Sequence, residues 1–275
     1  MPLGLDMGGT YVSVVAASVA GDGFAVLDTR AETVPSVEPS ERDMKVAETI
    51  RKLVEELSTR ERRCVLAVPS GDVVTRLFRV PPGMRAGEAE RAALLEADLV
   101  VDWPESERLV ALDPIPANAG EMLLSIARNG SVERVVAIAR AAGLQPVAVD
   151  VPACAWRRAV RDADAVLNCL NERAELIIFG SPLGTTQTFP PRLIDERLAT
   201  GVRAALVDAR RENICDVQHL AILATPFRYE SIEPLLRDDG YAVDRFTLDG
   251  VDAPPWTLAF GLASWSVAGG GLGPQ

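Results

Sequence analysis

Two short apolar runs, at residues 3–5 and 11–15, flank Gly8-Gly9-Thr10, and the first run closes on an acid, Asp6. Alternation around a glycine corner predicts a β-hairpin. Residues 23–30 read as a third antiparallel strand. After a Pro- and Ser-containing connection at 31–40, Met44, Ala47, Ile50, Leu53, Val54 and Leu57 recur with a 3.6 period behind Ser40, which predicts a helix. The continuous apolar run 64–68, stopped by Pro69-Ser70-Gly71, has the pattern of a buried parallel strand.

A second block follows with the order β-α-β-β-α-β. It has an alternating strand at 74–80, a helix at 87–101, strands at 109–115 and 121–128, a helix at 132–142 behind Ser131, and a strand at 145–151. That order predicts a ferredoxin-like α+β unit. From 152 the first pattern returns. A helix at 152–162 leads to strands at 165–170, 175–179 and 184–189, a helix at 192–211 and a buried-type strand at 219–224. A short helix at 229–238, a strand at 241–246 and an apolar helix at 255–265 complete it. The expected class is α/β with duplicated β-β-β-α-β halves. The expected domains are 1–73, an inserted 74–151, a reduced second half at 152–268, and a flexible tail at 269–275.

Composition narrows the function classes. Of 275 residues, 48% are hydrophobic and 24% charged, which is globular. The net charge of −11, with small basic clusters only at 60–63 and 157–161, argues against nucleic acid. The four cysteines, Cys64, Cys154, Cys169 and Cys215, are widely spaced, and with no secretory signal this suggests a reducing cytoplasm. His219 is the only histidine, so a His-rich metal site or a His-based triad is not expected. No apolar run reaches the length of about 20 residues that spans a bilayer.

The chemistry-bearing candidate is the first corner. Gly8 and Gly9 let another group approach the backbone closely, Thr10 supplies a hydroxyl, and Asp6 can face a metal-bound water. Together they could cradle a phosphate with magnesium. A plain hairpin with a glycine turn writes the same pattern.

The order of motifs resembles the type IV pilus assembly protein PilM family, in the FtsA/PilM group of the actin-like (ribonuclease H-like) ATPase superfamily. Residues 3–15 look like that superfamily's first phosphate loop. Leu66-Ala-Val-Pro-Ser-Gly-Asp-Val-Val-Thr-Arg76, Phe78-Arg-Val-Pro-Pro82, Ala97-Asp-Leu-Val-Val-Asp-Trp-Pro104, Leu112-Asp113, Ala141-Ala-Gly-Leu-Gln-Pro-Val-Ala-Val-Asp150 and Ala259-Phe-Gly-Leu-Ala263 continue the likeness. The resemblance implies an actin-like fold with an inserted subdomain. It further implies a cytoplasmic scaffold of a type IV pilus or type II secretion machine, peripheral to the inner membrane through its partners. One partner would be the tail of a PilN-like inner-membrane protein, held in a groove that would involve Val74, Arg76, Phe78 and Trp103. Two departures bear on activity. Asn168 and Leu170 stand where the superfamily's second phosphate loop has an acid and a glycine, and Ala224-Thr225-Pro226-Phe227 stands at the adenosine loop. No ATP turnover is therefore expected. The alternative is an active ATPase or small-molecule kinase using ATP and magnesium at Asp6, Gly8, Gly9 and Thr10. An FtsA-like membrane anchor is disfavoured, because 269–275 has no apolar face and no basic residue.

Overall fold

A computed structural model describes residues 1–265 apart from 9–10, 21–22, 36, 82, 115–119, 161, 171–172, 181–184, 192, 213, 239, 249–250 and 253–254. The expected tail at 269–275 lies outside the described residues.

In the first sheet, β1 (Leu3–Asp6), β2 (Tyr11–Ala20) and β3 (Gly23–Thr33) meander antiparallel. Helix α1 (Pro39–Glu55) crosses over and β4 (Arg63–Ala67) lies parallel beside β1. The chain then builds β5 (Val73–Arg79), α2 (Ala86–Val100), β6 (Arg108–Pro114) and β7 (Glu121–Arg128), a separate three-stranded antiparallel sheet in the order β5-β7-β6. Helix α3 (Asn129–Ala141) and β8 (Gln145–Asp150) return to the first sheet, where β8 pairs parallel with β4.

The inserted unit is thus smaller than the ferredoxin-like β-α-β-β-α-β order over 74–151 predicts. Val135, Ile138 and Ala139 of α3 join the core under α1 with Val149 of β8. An apolar run reveals that a strand is covered on both faces, but not which strand it lies beside.

The second half repeats the first. After α4 (Pro152–Ala159) come β9 (Ala165–Asn168), β10 (Glu175–Ile178), β11 (Thr185–Thr188), α5 (Asp195–Arg211), β12 (His219–Leu223), α6 (Pro226–Arg237) and β13 (Ala242–Arg245). The sheet order β11-β10-β9-β12-β13 matches β3-β2-β1-β4-β8 strand for strand. A small hairpin, β14 (Thr247–Leu248) and β15 (Val251–Asp252), precedes the closing helix α7 (Thr257–Ala263).

Helices α4 and α7 join the halves. Val15, Trp156, Val166, Ile177, Leu223 and Phe260 share one buried cluster that draws on both sheets. Backbones touch here. A Cβ on Gly4 of β1 would stand 1.7 Å from the Ala259 carbonyl oxygen, and one on Gly261 would stand 1.9 Å from that of Ala155. Only a residue without a side chain fits either position. Arg158 of α4 pairs with Asp150, at the end of β8, and its Nε donates to the Gly261 carbonyl at 2.9 Å, so one guanidinium links β8, α4 and α7.

Candidate functional site

The matching strand orders bring the ends of the two central strands, β1 and β9, to opposite walls of one cleft. This cavity of about 730 Å³ is lined by Asp6, Gly8, Ser70, Asn168, Arg173 and Glu175, among others. Asp6 closes β1, and its Oδ1 accepts the Gly8 N–H at 2.9 Å. Asn168 closes β9, and its Oδ1 accepts the Leu170 N–H at 3.2 Å. Gly9 and Thr10, the remaining candidates of the first corner, lie outside the described residues.

Burial pushes the Asp6 carboxyl up to about 7, against the Gly8 N–H, which favours the charged form; nearby Glu175 pushes it further up. Burial also raises Glu175, opposed by the Ser70 hydroxyl, which donates to it. That hydrogen bond runs from the first half to the second across the cleft.

The described residues do not fit a magnesium triphosphate. Magnesium is usually held through one or two carboxylates, its own waters and the phosphates. The carboxyls of this cleft are Asp6 and Glu175, both raised by burial, and the strand end that matches Asp6 carries the neutral carboxamide of Asn168. Leu170 lines the space beside Asp6 and Gly8, where a phosphate would need bare backbone. On the nucleoside side, β12 runs through Ala224 and Thr225 directly into α6, and Pro226 in its first turn has no N–H to donate. Arg228 of α6 donates to the Cys169 carbonyl at 3.2 Å and pairs with Asp195 at 3.3 Å, closing α6 onto α5 and the β9–β10 connection.

The predicted partner residues divide between two environments. Val74, Arg76 and Phe78 alternate with their neighbours and share the face of β5 that opposes Ile126, Leu124 and Met122 in register. Phe78 and Trp103 join the small core under α2, and the Arg128 guanidinium lies 4.3 Å from the Trp103 ring centre. Arg76 is exposed. A separate groove of about 200 Å³ runs between β5 and the head of α4, lined by Val73, Val74, Thr75, Val151, Pro152, Ala153 and Thr186 among others. The strand pattern identifies β5. It also carries the period-2 signal that Val73 and Thr75 share the opposite face, but only the packed structure sets that face toward the second half. His219, at the start of β12, is exposed and its backbone N–H donates to Asp164. Among the described residues no cluster of His, Cys, Asp and Glu could hold a metal. None of the described helices is long and apolar enough to cross a membrane.

Residues 4–180 match the sequence profile of a family described as type IV pilus assembly protein PilM. Among solved structures, the chain is similar to the PilM-PilN type IV pilus biogenesis complex. The TM-score is 0.67 at 21% identity, covering 95% of this chain and 97% of that one. It is also similar to the cytoplasmic domain of EpsL, an inner membrane component of the type II secretion system of Vibrio cholerae. There the TM-score is 0.53 at 10% identity, covering 82% of this chain and 81% of that one. No curated protein sequence matches the chain. The architecture is the actin-like ATPase fold, with two mixed five-stranded sheets and a three-stranded antiparallel subdomain.

Proposed function

The chain belongs to the type IV pilus assembly protein PilM family, and on that premise we propose that it is a scaffold without nucleotide turnover in a type IV pilus or related type II secretion machine. It holds the cytoplasmic tail of a PilN-like inner-membrane protein and sits in the cytoplasm against the inner membrane through that partner. The observation that carries this reading is the end of β9. Asn168 turns its carboxamide onto Leu170, and Leu170 lines the space beside Asp6. Phosphoryl transfer works by charge stabilisation from several loops at once, and one loop alone does not supply it.

The groove between β5 and α4 supports the binding half of the proposal. An extended tail entering there would meet Val73, Thr75, Val151 and Pro152, and Trp103 under α2 is a fluorescent reporter within the same subdomain. Titration of the cognate PilN-like tail into the chain should change tryptophan fluorescence, and Thr75→Arg should weaken binding at least tenfold. A tail that does not bind sinks the scaffold reading.

The second reading, an ATPase or small-molecule kinase, is favoured by Asp6 at the end of β1 with Arg173 in the same cleft. Calorimetry with Mg-ATP separates the two. Micromolar binding that disappears in Asp6→Ala would replace the scaffold with an enzyme.

A further inference from the structure

Helix α2 packs Ala89, Ala93 and Ala97 inward, with Ala93 and Ala97 against Leu124 and Ile126 of the three-stranded sheet. Its opposite side exposes leucines. Leu95 is 67% exposed, Leu99 83%, and Leu94 at their flank 39%. Apolar surface left in water forgoes about 25 cal/mol per Å², so Leu95 and Leu99 on one outward face form a surface suited to being covered. The same strip carries the exposed opposite charges Arg91 and Asp98, with exposed Glu88 farther toward the helix start.

Helix geometry fixes the strip's layout. With a turn of about 100° per residue and a rise of about 1.5 Å, Arg91 and Asp98 lean about 40° and 60° to one side of Leu95. Leu99 leans about 40° to the other side.

We propose that this strip pairs with itself: α2 docks antiparallel on α2 of a second copy of the chain, across a two-fold axis at Leu95. In an isologous contact of this kind, a residue before Leu95 lies level with one the same distance after it in the second copy, and each leans to the same side. Leu95 meets its own copy. Arg91 lies about 6 Å below the axis, and Asp98 of the second copy about 4.5 Å below it on the same side, so an arginine–carboxylate pair forms twice. Leu99 of each copy fills the other flank beside Leu95. Parallel pairing would set Arg91 against Arg91 and Asp98 against Asp98, and like charges reject it.

Asp98 is already positioned for this role. Arg108, whose side chain is 4% exposed, holds the Asp98 Oδ1, while the Asp98 side chain stays 58% exposed. The occupant's chemistry follows: apolar at the centre, basic opposite Asp98 and acidic opposite Arg91, which is the strip itself read backwards. One helix pair buries less than the roughly 1,000 Å² expected of a stable complex. The dimer is therefore weak and forms at high local concentration.

Sedimentation of the full chain from about 10 to 500 µM tests the pairing. We expect a concentration-dependent dimer that Leu95→Glu weakens at least tenfold. Arg91→Asp and Asp98→Arg should each dissociate alone, and their equimolar mixture should regain the dimer, because each altered charge then faces its opposite. Asp98→Arg sets a cation beside Arg108 and can unfold the subdomain, so a second measurement avoids it. In a Cys215→Ser background, diamide should link Leu95→Cys chains into disulfide dimers and leave Glu90→Cys, on the turned-away side, monomeric. A chain monomeric at every concentration overturns the proposal. So does a dimer indifferent to Leu95→Glu, equal cross-linking from positions 95 and 90, or a strip that binds only a different protein.

Discussion

Asp6 and Asn168 hold equivalent places in the two sheets. Each ends the central strand of its sheet, and each folds a side-chain oxygen onto the amide two residues on, Gly8 in one case and Leu170 in the other. The backbone device is kept in both halves, and the chemistry differs by one charge and one side chain. The cleft between them therefore keeps the shape of the fold, with a carboxamide on the second strand end where the first has a carboxyl.

The Asp6 carboxyl gives a pH signature. Its ordinary value is 3.8, and burial lifts it to about 7 in the folded chain. Between those values the folded state binds a proton that the unfolded state has released. The contribution of this group to stability is then complete below the unfolded value and is lost as pH rises through the folded one. Asp6→Asn removes that slope. Urea melts should find the variant more stable than the parent at pH 8 by on the order of 2 kcal/mol, less than the full shift implies because the carboxyl keeps some solvent contact. At pH 4 the two should be nearly equal.

Arg158 should be among the most sensitive side chains in the molecule. Asp150 is 1% exposed and Arg158 13%, and the pair joins β8, α4 and α7. Arg158→Met leaves the carboxylate buried without its cation, which costs about 3–5 kcal/mol. Removing the charge as well, in Asp150→Asn/Arg158→Met, should regain about 2 kcal/mol. Equal losses in the single and double variants would mean that Arg158 matters only for packing.

Gly261→Ala and Gly4→Ala test the backbone contacts of α7. The new methyl would meet a main-chain carbonyl in each case, at 1.9 and 1.7 Å, and main chain has no alternative rotamer. Each should cost about 3 kcal/mol or more. Gly87→Ala in α2, where a Cβ meets nothing within 4 Å, is the matched control and should be neutral or slightly stabilising.

Thiol labelling should separate one cysteine from three. Burial pushes Cys64, Cys154 and Cys169 up to about 12, which leaves almost no thiolate at neutral pH. Cys215 is raised too, by burial and then by Asp164 and Asp216, but it is partly exposed at the surface. A native chain should react with an aromatic disulfide at one position quickly, and all four should react in urea.

Much of the fold is legible along the chain because it is written locally. The apolar runs at 3–5 and 11–15, the 3.6 period of residues 44–57 and the bare apolar runs at 64–68 and 219–224 each report a neighbour-to-neighbour preference, and each became the expected element. The neutral end of β9 was equally readable, since Asn168 and Leu170 carry their chemistry in their side chains.

The sequence by itself determined the elements, their repetition in two halves and the neutral Asn168 at the place equivalent to Asp6. Only tertiary structure decided that β8 leaves the inserted unit to pair with β4. The same is true of the groove, which faces Thr75 while Phe78 is packed under α2, and of Gly4 and Gly261, where helix and strand backbones meet. Strand partners and close approaches join residues far apart in the chain. A period of two or 3.6 records which side of an element is buried, not what it is buried against.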